Sequence, residues 1–447
     1  MIQSWWSVAI HPPARAVPRG DFGYPPLQYN LGKGRPLYNV LTIILAGGAG
    51  ERLHPLTENR AKPAVPFGGI YRIVDFTLSN CINSDLRKIH VLTQYKSNSL
   101  VRHIHTAWGI VSRSLGEFID VIPPQMRVSR NWYLGTADAI YQNLYSIDQV
   151  NPDEVIILSG DHIYKMDYRK MLYFHRANNA DLTIASIPVP VEEACRFGVL
   201  EVDSHARVTR FHEKPEHLES AYGGPVLASM GIYIFKTAVL RDVCVDDALR
   251  DSSHDFGKDI IPSMIKSNRV VAHSFEDENQ KQEPYWRDVG TLASYFEANM
   301  DLVEVDPHFN LYDKHWPLRS NLPMVPPAKF VFGDEGERFG AAVDSIVSPG
   351  CIVSGGKVRR SVLSPGVRIN SYSTVENAIL FDGASVGRHC QVRNAILEKR
   401  VHLPAHTAIG YDMEEDARRF KVTPEGIVVV TERDAGALDA SRVVLSF

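Results

Sequence analysis

The stretch VLTIILAGGAGERL, residues 40–53, joins a run of apolar and β-branched residues to a glycine-rich turn. The run from Val40 to Leu45 has the length and composition of a buried strand. Glycines let the following backbone turn sharply and bring its N–H groups against phosphate oxygens, and Arg52 adds a forked donor. The loop lacks the GK[ST] ending of a Walker loop. The stretch predicts a strand followed by a phosphate-binding loop, with a purely structural turn as the alternative.

Short apolar runs and segments of helical spacing alternate along the first 300 residues. The other apolar runs are Ile89–Thr93, Val155–Leu158, Leu182–Ile187 and Met230–Phe235. Segments such as 137–150 and 168–178 carry apolar residues at helical spacing between them. Continuous apolar strands are typical of a sheet covered by helices on both faces. The pattern predicts a doubly wound α/β domain.

A different repeat begins near Ser345. Similar strings start at Ile346, Val362, Ile379 and Ile396, at offsets of 16, 17 and 17 residues. Aliphatic residues recur about every six positions within the intervals, at Ile352, Val358, Ile369, Val375, Val386, Val392, Leu403 and Ile409. Six-residue rungs, three to a coil, are typical of a triangular parallel β-helix, whereas a β-sandwich would show alternation and hairpin turns. We expect this region to be a scaffold and a contact between subunits.

Length and composition divide the chain further. At 447 residues, with 44% hydrophobic and 22% charged residues, it is typical of a globular protein of two or three domains. Prolines cluster before residue 38 and again from about 300 to 340. We expect an irregular arm at 1–38, a catalytic α/β domain at 39–300, a linker at 301–340 and the β-helix at 341–447.

Charge and cysteine content exclude several classes of function. The formal net charge is -4, so no global basic field would hold nucleic acid or an anionic membrane. The five cysteines are widely spaced and include no CxxC pair, which argues against a disulfide framework and a structural zinc site. No apolar run approaches the ~20 residues of a membrane span, and the first residues lack a secretory pattern. We expect a reduced, cytoplasmic enzyme.

Charged residues lie where an anionic ligand would meet this domain. Arg60, Lys62 and Arg72 follow the glycine-rich loop, and a solvated charged surface is the alternative. Asp161 follows the strand at 155–159 at its C-terminal end, the edge where open α/β sheets bind ligands. On its own, Asp161 is equally typical of a loop or a helix cap.

An ordered set of longer strings carries a family resemblance. They include AKPAVPFGG (61–69), GTADA (135–139), SGDHIYKMDY (159–168), FGV (197–199), HEKP (212–215), LASMGIY (227–233), SSHDFGKDIIP (252–262) and EPYWRDVGT (283–291). With these strings the chain resembles the bacterial glucose-1-phosphate adenylyltransferases from about residue 40 to about 431. The resemblance implies a Rossmann-like nucleotidyltransferase domain followed by a left-handed parallel β-helix. It also implies Mg²⁺-dependent transfer of AMP from ATP to glucose 1-phosphate for glycogen or α-glucan synthesis, allosteric control and a homotetramer.

The resemblance also implies roles for individual residues. For catalysis it implies Arg52, Lys62, Asp161 and Asp288, with Asp161 and Asp288 as the Mg²⁺ ligands. For ATP it implies Gly47, Gly48, Gln125, Tyr133, Gly135, Thr136 and Asp138. For glucose 1-phosphate it implies Gly198, Glu213, Lys214, Ser229, Tyr233, Asp255 and Trp286. For an anionic effector it implies Arg60, Arg72, Arg418 and Arg419, together lining a cationic cleft between the domains. For Arg418 and Arg419 the alternative is a surface helix with paired charges.

The sequence departs from the family pattern at two places. Asn59 stands where many relatives have a cation, which leaves the effector open. The stretch around Gln125 is one residue shorter than in several relatives, which leaves the register of this adenine contact open. The alternative functions are a nucleotidyltransferase for another nucleotide and sugar, and a non-catalytic regulatory subunit. The latter would lack some of the charged catalytic residues, whereas this chain has them.

Overall fold

The computed structural model describes residues 39–48, 50–127, 131–216, 224–333 and 338–436. The predicted arm, residues 1–38, lies outside the described residues, as do residues 437–447 of the predicted β-helix domain. The elements before residue 302 are β1 Val40–Ala46, β2 Pro66–Phe67, β3 Tyr71–Arg72, α1 Ile73–Asn83, β4 Lys88–Thr93, α2 Asn98–Ala107, β5 Phe118–Ile122, α3 Thr136–Tyr141, α4 Leu144–Val150, β6 Glu154–Ser159, β7 His162–Tyr164, α5 Tyr168–Ala177, β8 Leu182–Val189, β9 Gly198–Val202, β10 Val208–Glu213, β11 Val226–Lys236, α6 Thr237–Ala248, α7 Ile261–Met264, β12 Val270–Ser274, β13 Trp286–Asp288 and α8 Leu292–Asp301.

A large mixed sheet forms the first part of the fold, which confirms the predicted α/β class. Its strand order is β10-β9-β11-β6-β1-β4-β5, with β8 pairing β11 and β12. Strands β6, β1, β4 and β5 run parallel, whereas β11 runs antiparallel to β6. The predicted helical segment 137–150 is two helices, α3 and α4, that are separated at Gln142 and Asn143. Two apolar clusters, one on each face, bury the central strands.

Parallel pairing brings the ends of two strands to the same edge of the sheet. Leu45 at the end of β1 pairs with Ser159 at the end of β6. The glycine-rich loop after β1 and Asp161 after β6 therefore leave the sheet side by side. Strand β13 pairs antiparallel with β7, and this places Asp288 opposite His162. Three segments of the chain thus converge at the carboxyl edge of the parallel strands, where open α/β sheets bind ligands.

The C-terminal region is a parallel β-helix, as predicted. Its elements are β14 Lys329–Val331, β15 Ala341–Val343, β16 Ile346–Val347, β17 Ile352–Ser354, β18 Lys357–Arg359, β19 Val362–Leu363, β20 Arg368–Ile369, β21 Thr374–Leu380, β22 Ser385–Val386, β23 Gln391–Leu397, β24 His402–Leu403, β25 Ala408–Ile409, α9 Met413–Arg419, β26 Lys421–Val422 and β27 Val428–Val430. The predicted repeats align in space, because Ile346 pairs with Val362, Val362 with Ile379 and Ile379 with Ile396. One predicted position was wrong: Val353, and not Ile352, stacks on Ile369, since the first coil is one residue shorter than the others.

The two regions share an apolar cluster. Phe67 and Phe76 of the first region belong to the same buried cluster as Ile379 and Phe381 of the β-helix. Gly69 has φ +88°, and a Cβ there would lie 2.7 Å from Ser348 Oγ. Glycine at position 69 therefore lets its backbone lie directly against the Ser348 side chain of the β-helix. None of the helices in the described ranges has both the length and the apolar character needed to cross a membrane.

Candidate active site

A lysine and two aspartates form the centre of the site. Lys62 Nζ donates hydrogen bonds to Asp161 Oδ2 at 2.7 Å and to Asp288 Oδ1 at 2.9 Å. Asp161 also accepts a hydrogen bond from Ser159. One ammonium group thus holds two carboxylates that come from distant parts of the chain. The structure brings together the two predicted metal ligands and one predicted catalytic cation.

The charges of this centre stabilise one another. Burial lowers the pKa of Lys62, but the carboxylates of Asp161 and Asp288 raise it more strongly, so its pKa lies above the ordinary value. Burial raises the pKa of Asp161, but the Lys62 charge and the Ser159 hydrogen bond outweigh burial and hold its pKa well below the usual range. Lys62 therefore stays protonated and Asp161 ionised near neutral pH. The centre presents a negative carboxylate edge with a fixed cation beside it.

A cleft of about 360 Å³ opens between this centre and the glycine-rich loop. Gly48, Arg52, Lys62, Asp161 and Gly290 are among its lining residues. Arg52 lies in a helical turn, Glu51–Leu53, directly after the loop. A Cβ on Gly290 would lie 2.9 Å from Asp288 Oδ2 and 3.1 Å from Arg52 Nη2. A side chain at Gly290 would therefore close the space between the guanidinium and the carboxylate.

Gln94 connects the glycine-rich loop to the predicted nucleotide residues. Its side-chain amide accepts a hydrogen bond from Tyr133 N at 3.2 Å and donates to Tyr133 O at 3.4 Å. A Cβ on Gly47 would lie 3.2 Å from Gln94 Cβ. Sequence reasoning missed Gln94, although its place directly after β4 is the same kind of strand end that singled out Asp161. The predicted adenine contact, Gln125, lies on an exposed stretch and donates to the carbonyl of Pro123.

The predicted nucleotide residues from 135 to 138 begin helix α3. Gly135 precedes the helix, and a Cβ there would lie 2.2 Å from His254 O. Thr136 Oγ1 donates to Asp255 Oδ2 at 3.0 Å. The Asp138 carboxylate accepts from Leu134 N, at 2.8 Å, and from a neighbouring glutamine. Gly135 and Thr136 therefore touch the loop that carries Asp255, whereas Asp138 shapes its own turn.

Most of the residues predicted for glucose 1-phosphate surround a second part of the site. A Cβ on Gly198 would lie 2.9 Å from Glu213 Oε2, and one on Gly257 only 2.4 Å from it. Ser229 and Tyr233 flank a bulge in β11, where its pairing with β8 shifts register. Burial raises the pKa of Tyr233, with Glu213 and Asp255 acting in the same direction, so the phenol stays neutral. Carboxylates and hydroxyls of this kind are acceptors and donors suited to sugar hydroxyls.

Trp286 and His162 join the sugar side to the carboxylate centre. The Trp286 ring lies 5.1 Å from the His162 ring and 5.1 Å from the Phe197 ring, measured between centroids. His162 Nε2 lies 3.5 Å from Asp161 Oδ1. Asp161, His162 and Asp288 each offer a ligand atom within 4.8 Å of the others. His162 was not predicted as a site residue, although it directly follows Asp161 in the sequence.

Lys214 lies at the exposed rim of the sugar side. Its backbone N–H donates to Phe197 O at 3.1 Å, and its Nζ lies 3.3 Å from Glu213 Oε1. Its side chain is 62% exposed and is therefore free to turn toward a ligand. A lysine ammonium is a compact charge that suits a phosphate group.

The four predicted effector arginines fall into two pairs. Arg60 lies at the contact of the two regions, where its Nη2 is 2.6 Å from Glu398 Oε1. Arg72 Nη1 donates to Ala64 O at 2.9 Å, and burial lowers the pKa of its guanidinium. Arg418 and Arg419 lie on α9 and pair with acidic residues of the same helix. In the described residues the contacts of Arg418 and Arg419 thus run along α9, so the predicted common cleft stays a hypothesis.

Comparisons with known proteins agree with this geometry. A nucleotidyl transferase family model matches residues 41–305, and a model of the GlmU-like C-terminal hexapeptide matches residues 326–430. The chain is 56% identical over 411 residues to a glucose-1-phosphate adenylyltransferase of Rhodopirellula baltica, covering 90% of this chain and 92% of the relative. A protein of the same name from Koribacter versatilis is 56% identical over 400 residues, covering 88% of this chain and 96% of the relative. One from Methylococcus capsulatus is 51% identical over 395 residues, covering 88% and 93%.

The two family models match the α/β region and the β-helix separately, and the relatives align along both. The chain therefore belongs to the glucose-1-phosphate adenylyltransferase family of nucleotidyl transferases.

Proposed function

We propose that this protein transfers AMP from ATP to α-D-glucose 1-phosphate, with release of pyrophosphate, and that Mg²⁺ is required. The product, ADP-glucose, would supply glucosyl units for glycogen or another α-glucan. The observation that carries the proposal is the ammonium of Lys62, which is shared by Asp161 and Asp288 beside the glycine-rich loop. The names of the relatives support the same reaction.

The donor set fits a magnesium ion. Asp161 and Asp288 offer carboxylate oxygens, the ligands that Mg²⁺ prefers, and a third donor at His162 lies within 4.8 Å of both. The carboxylates already hold one cation, the Lys62 ammonium, and this supports a position that favours positive charge. When bound, Mg²⁺ would neutralise the crowded phosphate oxygens and so reduce the repulsion between two anionic substrates.

The residues of the chain supply position and charge. In the proposed reaction an oxygen of the sugar phosphate forms a bond to the α-phosphorus of ATP, and the bond to the leaving pyrophosphate breaks. The attacking oxygen is already ionised near pH 7, so no protein nucleophile is needed. Arg52 and Lys62 line the cleft on the side of the glycine-rich loop, where they would stabilise charge on the transferring phosphate. Trp286 and Glu213 lie on the sugar side and would orient the acceptor.

One assay tests the reaction and its substrates. Pyrophosphate release is measured with glucose 1-phosphate and each of ATP, UTP and dTTP in turn. The proposal predicts the highest kcat/KM with ATP, and a loss of activity when EDTA removes divalent cations. Preference for UTP or dTTP would favour the alternative nucleotidyltransferase. No turnover with any nucleotide would favour a regulatory subunit.

Regulation and assembly are separate parts of the proposal. Arg60, Arg72 and Lys399 bring cations to the contact between the α/β region and the β-helix, although Glu398 and Asp382 already compensate part of their charge. A small anionic metabolite would bind there, and the coupling to activity would be about 1–3 kcal/mol, as is typical of allosteric effectors. Unchanged kinetics in the presence of sugar phosphates, orthophosphate and AMP would exclude the proposed allosteric control. Light scattering would test the proposed homotetramer.

A further inference from the structure

Three polar residues behind the active site form a closed hydrogen-bond network. His254 Nδ1 lies 2.8 Å from Asp247 Oδ2, at the end of α6, and 3.0 Å from Ser252 Oγ. Ser252 Oγ donates to Asp247 Oδ1 at 2.9 Å and accepts from His254 N at 3.1 Å. Because carboxylate oxygens accept hydrogen bonds, we assign His254 Nδ1 as the donor to Asp247. The side chains of His254 and Asp247 are 15% and 9% exposed, so the network is largely shielded from solvent.

The network fixes an unusual backbone conformation. His254 has φ +52°, in the left-handed region that costs energy for residues other than glycine. In this conformation the His254 carbonyl accepts hydrogen bonds from Ala137 N at 2.8 Å and from Asp138 N at 3.4 Å. These are N–H groups of the first turn of α3, which have no partner within the helix. The His254 backbone therefore holds the start of α3, next to Gly135 and Thr136 of the predicted nucleotide loop.

The next residue reaches both substrate sides. Asp255 Oδ2 accepts from Thr136 Oγ1 at 3.0 Å, on the nucleotide side. Asp255 Oδ1 accepts from Gly257 N at 2.9 Å, and the Gly257 backbone lies against the Glu213 carboxylate on the sugar side. Residues 252–257 thus form one wall that both halves of the site share. We call this segment the shared loop.

We propose that Asp247, Ser252 and His254 are positioning residues that hold the shared loop, and through it place the nucleotide and sugar sides of the site together. None of the three needs to touch a substrate. They act through the His254 carbonyl and the Asp255 carboxylate. This inference depends on the proposed function only for the identity of the two substrates.

The test compares two substitutions at one position. His254→Ala removes the Nδ1 donor, whereas His254→Asn keeps a donor near the same place and tolerates positive φ. We expect His254→Ala to raise the KM for ATP and the KM for glucose 1-phosphate together, each about 10-fold, since small displacements of positioning groups cost up to ~10²-fold. Both KM values of His254→Asn should stay within about 3-fold of those of the wild type, because this variant keeps the donor that positions the loop. Hydrogen exchange should also become faster at the amide of Ala137 in His254→Ala.

A matched control is available in the β-helix. His389 also has positive φ, 56°, but lies far from the shared loop in sequence and stacks on other aromatic rings. His389→Ala should leave both KM values unchanged. If His254→Ala does not fold, Asp247→Asn must produce the same joint rise in KM.

Two results would overturn the inference. The first is unchanged KM values in His254→Ala, and the second is a rise for one substrate alone. A wild-type enzyme without turnover would contradict the proposed function instead. The exchange measurement would then still decide, since unchanged protection of Ala137 in His254→Ala refutes the positioning role.

Discussion

Replacing Lys62 with methionine should have opposite effects on turnover and on metal affinity. The substitution keeps most of the length of the side chain and removes its charge. The Lys62 ammonium lies 2.7 Å from one carboxylate oxygen of Asp161 and 2.9 Å from one of Asp288. It therefore compensates the same negative charge that would attract a divalent cation. Its removal should leave two uncompensated carboxylates with a stronger attraction for metal.

The magnitude follows from the charges and their exposure. Two unit charges about 4 Å apart interact by about 4 kcal/mol at an effective dielectric constant near 20. The Asp161 and Asp288 side chains are 29% and 18% exposed, and solvent reduces this value. We therefore expect the loss of the Lys62 charge to strengthen metal binding by about 1.5–3 kcal/mol, which corresponds to an affinity about 10- to 100-fold higher. Turnover should fall by about 10²–10³-fold, because a positioned donor for transition-state charge is lost.

Paramagnetic resonance of Mn²⁺, titrated without nucleotide, measures the affinity, and pyrophosphate release measures turnover. Lys281→Met, which removes a lysine paired with Asp306 outside the cleft, is the matched control and should change neither quantity. Weaker or unchanged Mn²⁺ binding by Lys62→Met would refute the reasoning. It would mean that the ammonium and the metal do not share the Asp161–Asp288 pair.

Three further predictions concern other parts of the structure. Lys214→Gln should raise the KM for glucose 1-phosphate about 10-fold or more, since charged hydrogen bonds contribute about 1.5–3 kcal/mol. An effect on the KM for ATP alone would show that the assignment of Lys214 to glucose 1-phosphate is wrong. Burial raises the pKa of Asp277 to about 6, so the folded state binds this proton more tightly than the unfolded state does. The free energy of unfolding, and with it Tm, should therefore fall as the pH rises from about 4 to about 6. Asp277→Asn should reduce this fall in Tm. If the variant shows the same pH dependence of Tm as the wild type, the Asp277 carboxyl is not its cause. Gly69→Ala should lower Tm, because its φ is +88° and its Cβ would lie 2.7 Å from Ser348 Oγ; an unchanged Tm would show that the contact can relax.

The periodic parts of the fold were predictable from the sequence. The strand at 40–45 and the β-helix after Ser345 were predictable because their signals, an apolar run and a short repeat, are local patterns in the sequence. The error at Ile352 arose where the first coil is one residue shorter, since a fixed six-residue period cannot locate a shortened corner. The antiparallel direction of β11 was not predictable either, because a buried apolar run does not indicate the direction of its strand.

The candidate site was predictable only in part. Lys62 lies 99 positions from Asp161 and 226 from Asp288, and their meeting depends on the pairing of β13 with β7, which no local pattern encodes. Sequence position alone singled out Lys62 and Asp161, whereas Asp288 came only from the resemblance to a family. The resemblance did not supply Gln94 or His254, whose importance rests on contacts with backbone groups of distant loops.

The most direct test of the central claim is the kcat of Asp161→Asn for pyrophosphate release from ATP and glucose 1-phosphate at saturating Mg²⁺. The substitution keeps the size of the side chain but removes the charge that pairs with Lys62. We predict a loss of about 10²–10³-fold or more, as for removal of other groups that stabilise transition-state charge, with far-ultraviolet circular dichroism unchanged. A kcat near that of the wild type would contradict the account.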